Sequence, residues 1–234
     1  MTLIVAHRGV RSLAPENSLE AFSLCQVHGV PWVELDVQAL GDGTPVVFHD
    51  LDLERMFADP RTLAQLRLAD LGQLRFANGE SLPTLEQVMQ LLAAQGTHLN
   101  LELKADGSNP QALAESLLPF IDAWPAHLEL VVSCFDWQLL ALLRQWRPKL
   151  KLGGLLAEPI GHADLQRAEE LKLYSLHPHW SHLSAYWCQQ LQQQGLRTFV
   201  WTINEPELID SLWRWGLDAA ISDWPQRFLA GKLE

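Results

Sequence analysis

The chain has 234 residues, 48% of them hydrophobic and 19% charged, which is the composition of an ordinary globular protein able to bury a sizeable core. Its formal net charge is -11, with 28 acidic residues against 17 Lys and Arg. A nucleic-acid surface would have to work against that field, so nucleic acid is not an expected partner.

Short apolar runs that end in polar residues recur along the chain, and most are followed by a segment of helical period. The first run, "LIVAH", ends at His7 and Arg8, with a helix expected from Ser18 to His28. Next come "WVELDV" and then "PVVFH", separated only by "QALGDGT", which is too short for a crossover helix and reads as a hairpin turn. With a turn at residues 41 to 44, a regular register pairs Leu40 with Pro45 and sets Asp36 opposite His49. Residues 51–82 fit neither period and read as a small insertion, after which a helix is expected from Leu85 to Gln95.

The remaining runs are "LNLELK", "LELVVSCF", "KLGGLL", "LYSLH", "RTFVW" and "AAISD". Helices are expected between them at Pro110 to Ala123, Trp137 to Trp146, His162 to Leu171, Leu183 to Gln194 and Glu205 to Trp215. Eight strands alternating with helices predict an α/β fold, a (β/α)8 TIM barrel carrying a β-hairpin and a small insertion after the second strand. The expectation is one domain over 1–234, with 51–82 inserted within it.

Cys25, Cys134 and Cys188 are odd in number and widely spaced, which fits small buried hydrophobes rather than a disulfide or thiolate metal framework. The N-terminus enters "TLIVAHRG" directly, without a signal peptide or membrane span, so a cytoplasmic protein with no stable membrane association is expected.

Active sites of such barrels gather where strands run into the following loops. The strand ends carry His7 with Arg8, Glu34 and Asp36, Glu102 and Lys104, Ser133, Leu156, His177, Trp201 with Asn204, and Asp223. Glu34 and Asp36 at i and i+2 project from one strand face, and "LELK" does the same with Glu102 and Lys104. Three inward carboxylates repel one another unless a cation neutralises them, and all-oxygen ligands suit Mg²⁺ or Ca²⁺. Arg8 offers a fork and Lys104 a point charge for phosphate, while His7 and His49 can carry protons near neutral pH. "HPHWSH" holds His177, His179 and His182, but Pro178 and the absence of i, i+4 spacing favour a polar loop over a metal site. Trp213 and Trp215 are expected to pack against neighbouring elements, leaving Trp201 as the tryptophan at the mouth.

Read in order, the chain resembles the glycerophosphodiester phosphodiesterase family of the cytoplasmic bacterial type. The motifs are His7-Arg8-Gly9, Pro15 to Phe22 ("PENSLEAF"), Glu34 to Val37, Asp42 to Asp50, Pro83 to Val88, Asn100 to Lys104, Trp201 to Asn204 and Ser222 to Pro225. The resemblance implies that Glu34, Asp36 and Glu102 bind a divalent metal ion, Mg²⁺ or Ca²⁺, that His7 and His49 form the acid/base pair, and that Arg8 and Lys104 contact phosphate. It further implies that Glu16 and Asn17 support the site and that Trp201 walls the glycerol side. The implied activity is metal-dependent hydrolysis of a small-molecule glycerophosphodiester, such as glycerophosphocholine or glycerophosphoethanolamine, to glycerol 3-phosphate and an alcohol. The alternatives are a lysophospholipase D or phosphoinositide-type phosphodiesterase, against which stands the lack of a basic amphipathic segment, and a non-catalytic phosphate-binding barrel, against which stands the presence of both histidines. The sequence carries no signal for an oligomeric state, the preferred alcohol or the order in which the histidines act.

Overall fold

The computed structural model describes residues 3–105 and 109–229. In chain order the elements are β1 (Leu3–His7), α1 (Leu19–Val27), β2 (Trp32–Ala39), β3 (Pro45–Val47), β4 (Asp52–Leu53), α2 (Glu54–Phe57), β5 (Asp59–Thr62), α3 (Leu85–Gln95), β6 (His98–Leu103), α4 (Pro110–Ser116), α5 (Leu118–Ala123), β7 (Leu130–Cys134), α6 (Trp137–Trp146), β8 (Lys151–Leu156), α7 (His162–Glu170), β9 (Ser175–Pro178), α8 (Ala185–Gln193), β10 (Arg197–Val200), α9 (Pro206–Trp213) and β11 (Ala219–Ser222). Strands β1, β2, β6, β7, β8, β9, β10 and β11 pair in parallel, and the β1–β2 pairing closes them into an eight-stranded (β/α)8 barrel.

The helices start where the sequence caps them. Ser18 accepts the Ala21 amide hydrogen at 3.1 Å, and Thr84 and Gln87 form a reciprocal capping box at the start of α3. The stretch 110–123 is two helices rather than one, because Pro119 brings no amide hydrogen to the ladder and the chain restarts at Leu118. Between helices and strands lies the main core, with Phe22, Leu35, Leu85, Leu92, Leu99, Leu101 and Leu140 fully buried. A second cluster fills the barrel axis below the mouth, formed by Val5, Trp32, Val131, Phe199, Ala219 and Ile221. The barrel is therefore closed beneath the site and open only above it.

The hairpin corrects the expected register. Val37 pairs with Val47 and Ala39 with Pro45, and the Phe48 amide bonds the Asp36 carbonyl at 3.0 Å, so Asp36 faces Phe48, not His49. The turn is one residue tighter than expected: Leu40 and Thr44 bond at 2.9 Å, the Thr44 amide donates to Asp42 Oδ1 at 3.1 Å, and Gly43 takes φ 85°. A one-residue slip would turn His49 to the other face if the ladder continued. It does not continue. Pairing stops at Val47, and the Gln38 Nε2 group donates to the carbonyls of Phe48, His49 and Asp50 at 3.0, 3.0 and 2.7 Å, re-aiming the chain.

Residues 51–82 form a small satellite around the β4–β5 hairpin, with a core of Leu53, Leu63, Leu66, Leu71, Leu74, Phe76 and Leu82 that also covers Leu40, Val46 and Phe48. The three cysteines are free and buried, and burial pushes Cys25 and Cys134 up to about 12. Trp213 and Trp215, expected to pack, are 55% and 37% exposed, because α9 ends at Trp213 and turns both rings outward. Among the described residues, no helix is long and apolar enough to cross a membrane.

Candidate active site

The mouth is built first from β1. After His7 the chain turns through two left-handed residues, Arg8 at φ 57° and Gly9 at φ 79°. At Gly9 a Cβ would lie 2.7 Å from the Ala21 backbone, so only glycine serves there. The turn brings the Arg8 amide to Glu34, where it meets the backbone carbonyl at 2.9 Å and Oε2 at 3.0 Å. Asn17, also left-handed at φ 58°, donates from Nδ2 to Asp36 Oδ2 at 3.0 Å. Two non-glycine residues in this region, both holding metal-candidate carboxylates, mark backbone strain kept for a purpose.

Register does the rest. His7 is level with Glu34, and Asp36 is level with Glu102. Oxygen atoms of Glu34, Asp36 and Glu102 consequently lie within 4.8 Å of one another. Arg8 Nε sits 3.1 Å from Asp36 and Lys104 Nζ 3.0 Å from Glu102 and 3.9 Å from Asp36. These cations do not cancel the crowding. Burial, then the proximity of Asp36 and Glu102, pushes Glu34 well above the usual carboxylate range, and burial followed by Asp36 pushes Glu102 up to about 7. Glu34 Oε1 is buried with no hydrogen-bond partner. An orphaned carboxylate oxygen in a cluster of hard donors fits a divalent cation of the Mg²⁺ or Ca²⁺ type.

Each histidine is tied to a carboxylate through Nδ1. His7 Nδ1 lies 2.6 Å from Asp223 Oδ1, and His49 Nδ1 lies 2.7 Å from Asp50 Oδ1. Although burial opposes its charge, Asp223 is held at about 2 by His7 and Asn204, and Asp50 is also lowered, with Arg55 and His49 overcoming its burial. An ionised carboxylate can only accept, so each Nδ1 carries the hydrogen and each Nε2 is left for proton exchange. The His7 ring is itself lowered by burial, against the pull of Asp223.

Glu16 is the hub beside this floor. It accepts from Arg8 at 2.8 Å and Arg55 at 2.6 Å and forms an ion pair with Arg11 at 2.6 Å, and these arginines outweigh its burial and hold it at about 2.

His7, Arg8, Glu34, His49, Glu102 and Lys104 line one side of a cleft of about 230 Å³, and Phe135, Leu155, Trp201 and Ile221 line the other. Trp201 is fixed by its Nε1, which donates to the His177 carbonyl at 2.8 Å, and it meets Phe135 edge-on at 5.8 Å. A larger cavity of about 550 Å³ lies between the hairpin and α4, but among the described residues Lys104 is its only titratable lining group. All ten residues expected at the site gather around the mouth: seven line the cleft, Glu16 and Asp36 hold Arg8 among them, and Asn17 holds Asp36.

His177, His179 and His182 do not come together as ligands. His177, expected at the end of the sixth barrel strand, lies in β9, fully buried, stacked on Phe199 at 4.9 Å and hydrogen-bonded to Ser175 at 2.8 Å, and burial lowers it to about 3. His179 stands outside, edge-on to Trp201 at 5.0 Å. Sequence reasoning gave no role to Asp50, Arg55, Arg11, Asn204, Phe135 or Asp223. Asp50 directly follows a candidate histidine and Asp223 ends the last strand, and those were the available signals.

Residues 7–227 match the Glycerophosphoryl diester phosphodiesterase family. A glycerophosphodiester phosphodiesterase of Caldanaerobacter subterraneus subsp. tengcongensis is 29% identical, over 97% of this chain and 96% of its own. An Oleispira antarctica phosphodiesterase, solved with the product sn-glycerol-3-phosphate, superposes with a TM-score of 0.93 at 31% identity, covering 98% of this chain and 96% of the other. A Thermotoga maritima glycerophosphodiester phosphodiesterase gives a TM-score of 0.84 at 28% identity, with 99% of each chain covered.

Proposed function

The chain belongs to the glycerophosphoryl diester phosphodiesterase family, and from that premise we propose that it hydrolyses glycerophosphocholine, glycerophosphoethanolamine and similar diesters to glycerol 3-phosphate and the free alcohol, in a reaction dependent on Mg²⁺ or Ca²⁺. One observation carries the reading: two histidines, each with Nδ1 held by a carboxylate, line one cleft with Arg8, Lys104 and the carboxylates Glu34 and Glu102.

Glu34, Asp36 and Glu102 would hold the ion. When bound, it supplies positive charge against the phosphate oxygens and acidifies the neighbouring glycerol hydroxyl. Arg8 and Lys104 orient the phosphate from the same side. One histidine takes the hydroxyl proton at Nε2 as that oxygen attacks phosphorus, and the other gives its Nε2 proton to the departing alcohol. Water then opens the cyclic phosphate with the roles exchanged. The Asp223 and Asp50 carboxylates stabilise whichever imidazolium forms, and the apolar wall of Phe135, Leu155, Trp201 and Ile221 receives the organic part of the substrate.

Phosphorus NMR of the purified protein with a panel of glycerophosphodiesters tests this directly. Glycerol 3-phosphate should appear with Mg²⁺ or Ca²⁺ and stop appearing in excess chelator. Turnover undiminished by chelator, with no metal retained by elemental analysis, overturns the metal dependence, and turnover of lysophospholipids alone overturns the substrate class.

A further inference from the structure

The two histidine–carboxylate pairs are built differently. Asp223 is fixed from the barrel strands themselves: its Oδ2 accepts from Asn204 Nδ2 at 2.9 Å and its own amide returns a bond to Asn204 Oδ1 at 2.9 Å, with Arg11 a looser neighbour at 3.5 Å. Asp50 stands on a segment that has left its ladder, and the His49 side chain is a third exposed, so sheet register does not set the angle of that ring. What holds Asp50 Oδ2 is Arg55 Nε at 2.5 Å, while Nη2 of the same guanidinium reaches Glu16 Oε1 at 2.6 Å. Glu16 is in turn anchored by Arg8 and Arg11 beside β1.

We propose that Arg55 is a positioning residue for His49, the tie by which the 51–82 insertion fixes the hairpin-borne histidine against the barrel-borne half of the site. The planar fork suits this role, since Nε and Nη2 address two carboxylates at once, which a single ammonium cannot do in the same geometry. The backbone under Arg55 is in turn set by the satellite core: Arg55 lies in α2, whose Phe57 packs on Phe48 at 5.7 Å and Phe76 at 5.0 Å. The insertion's packing is thus connected to the direction of one imidazole through Phe57, Arg55 and Asp50. Arg55 is 47% exposed, so the tie contributes little to global stability while fixing a local angle.

The inference rests on the proposed role of His49, and a mutant cycle separates the two. Arg55→Gln, Arg55→Lys, His49→Ala and the Arg55→Gln/His49→Ala double variant are compared by glycerol 3-phosphate release with saturating Mg²⁺. Arg55→Gln is expected to lower kcat about tenfold with KM moving less than about twofold, and Arg55→Lys to restore part of the loss; in the His49→Ala background Arg55→Gln should change kcat by less than about twofold. The long-range ¹H–¹⁵N spectrum of His49 should lose its fixed Nδ1–H tautomer in Arg55→Gln and not in wild type. An equal fall in both backgrounds, or an unchanged kcat in Arg55→Gln, overturns the assignment of Arg55. Full activity of His49→Ala instead removes the role of His49 itself, and the inference with it. Melting temperatures of the single variants identify any that lose activity by unfolding, in which case Arg55→Lys carries the cycle.

Discussion

The two sides of the barrel mouth stand on equivalent backbone and share almost no chemistry. Followed around the barrel at one height, the register runs Asp36, Glu102, Ser133, Gly153: two carboxylates, a hydroxyl, and no side chain. On the β1–β2–β6 side the cleft wall is His7, Arg8, Glu34, Glu102 and Lys104; across it are Phe135, Leu155, Trp201 and Ile221. The parallel barrel offers the same inward positions on every strand, so the division is made by side chains alone. Like charges on adjacent strands repel, and here three carboxylates face the two cations Arg8 and Lys104. The charged side is incomplete without a further cation; the apolar side is complete as folded. Under the proposed function, the charged half takes phosphate and metal and the other half takes the organic part of the diester.

The largest effect should follow from attacking the charged half. Glu34→Gln removes a carboxylate oxygen that has no protein partner, so calorimetric Mg²⁺ binding should be lost and turnover should fall about 10³-fold or more, the scale of several kcal/mol of charge stabilisation. The same substitution should not destabilise the metal-free fold, because burial already opposes the charge it deletes. The pH dependence has a definite sign. Glu102 is raised to about 7 from an ordinary 4.5, so the folded protein holds a proton that the unfolded chain releases. The Glu102 contribution to metal-free stability is therefore fullest below about pH 4.5 and is lost as pH rises through about 7. Mg²⁺ should raise the melting temperature more at pH 8 than at pH 5, as thermal scans with and without the ion would read. Equal shifts at both pH values would remove the claim that the charged half awaits a cation.

The histidines should come next. His7→Ala and His49→Ala should each lose about 10²- to 10⁴-fold in kcat with Mg²⁺ binding retained, and the double variant should be hardly worse, since an acid and a base in one transition state act as a unit. A p-nitrophenyl ester of glycerol 3-phosphate needs no acid to depart, so selective rescue of one variant on that substrate names the general acid. Additive losses in the double variant would mean that the two rings do not serve the same step.

The charged half was the more legible of the two, for a physical reason. His7, Glu34, Asp36 and Glu102 sit within regular strands, and Lys104 directly follows one, where a period of two fixes which face each side chain takes. Where regular pairing ended, legibility ended too. The hairpin is shifted by one residue because the turn closes at Leu40 and Thr44, and His49 reaches the cleft only through the three bonds from Gln38, which no periodicity encodes. Asp223 meets His7 from 216 positions away, and Arg55 meets Glu16 from 39 away, separations that no local period encodes. The break between α4 and α5 falls at Pro119, but the apolar spacing continues across it and so predicts a single helix.

The apolar half offers the smallest expected effect and the sharpest test of the division. Phe135 is 43% exposed and Trp201 only partly buried, so truncating Phe135 should cost little stability. Phe135→Ala removes part of the wall facing the organic moiety; at roughly 25 cal/mol per Å² of apolar contact, losing about 50 Å² weakens binding by ~1.2 kcal/mol, or about eightfold. Such contact forms before the reaction and persists through it, so KM should rise by about that factor while kcat stays within about twofold. Trp201→Phe keeps a ring but deletes the donor to the His177 carbonyl, and should show a smaller rise of about threefold through looser placement of the wall. Competitive inhibition separates the two halves in one measurement. Glycerol 3-phosphate should lose affinity for Phe135→Ala, whereas inorganic phosphate, which has no organic part to place, should bind as it does to wild type. If the inhibition constants of both anions rise together, Phe135 acts on the phosphate side of the cleft, and the division of the mouth into two chemistries fails at this residue.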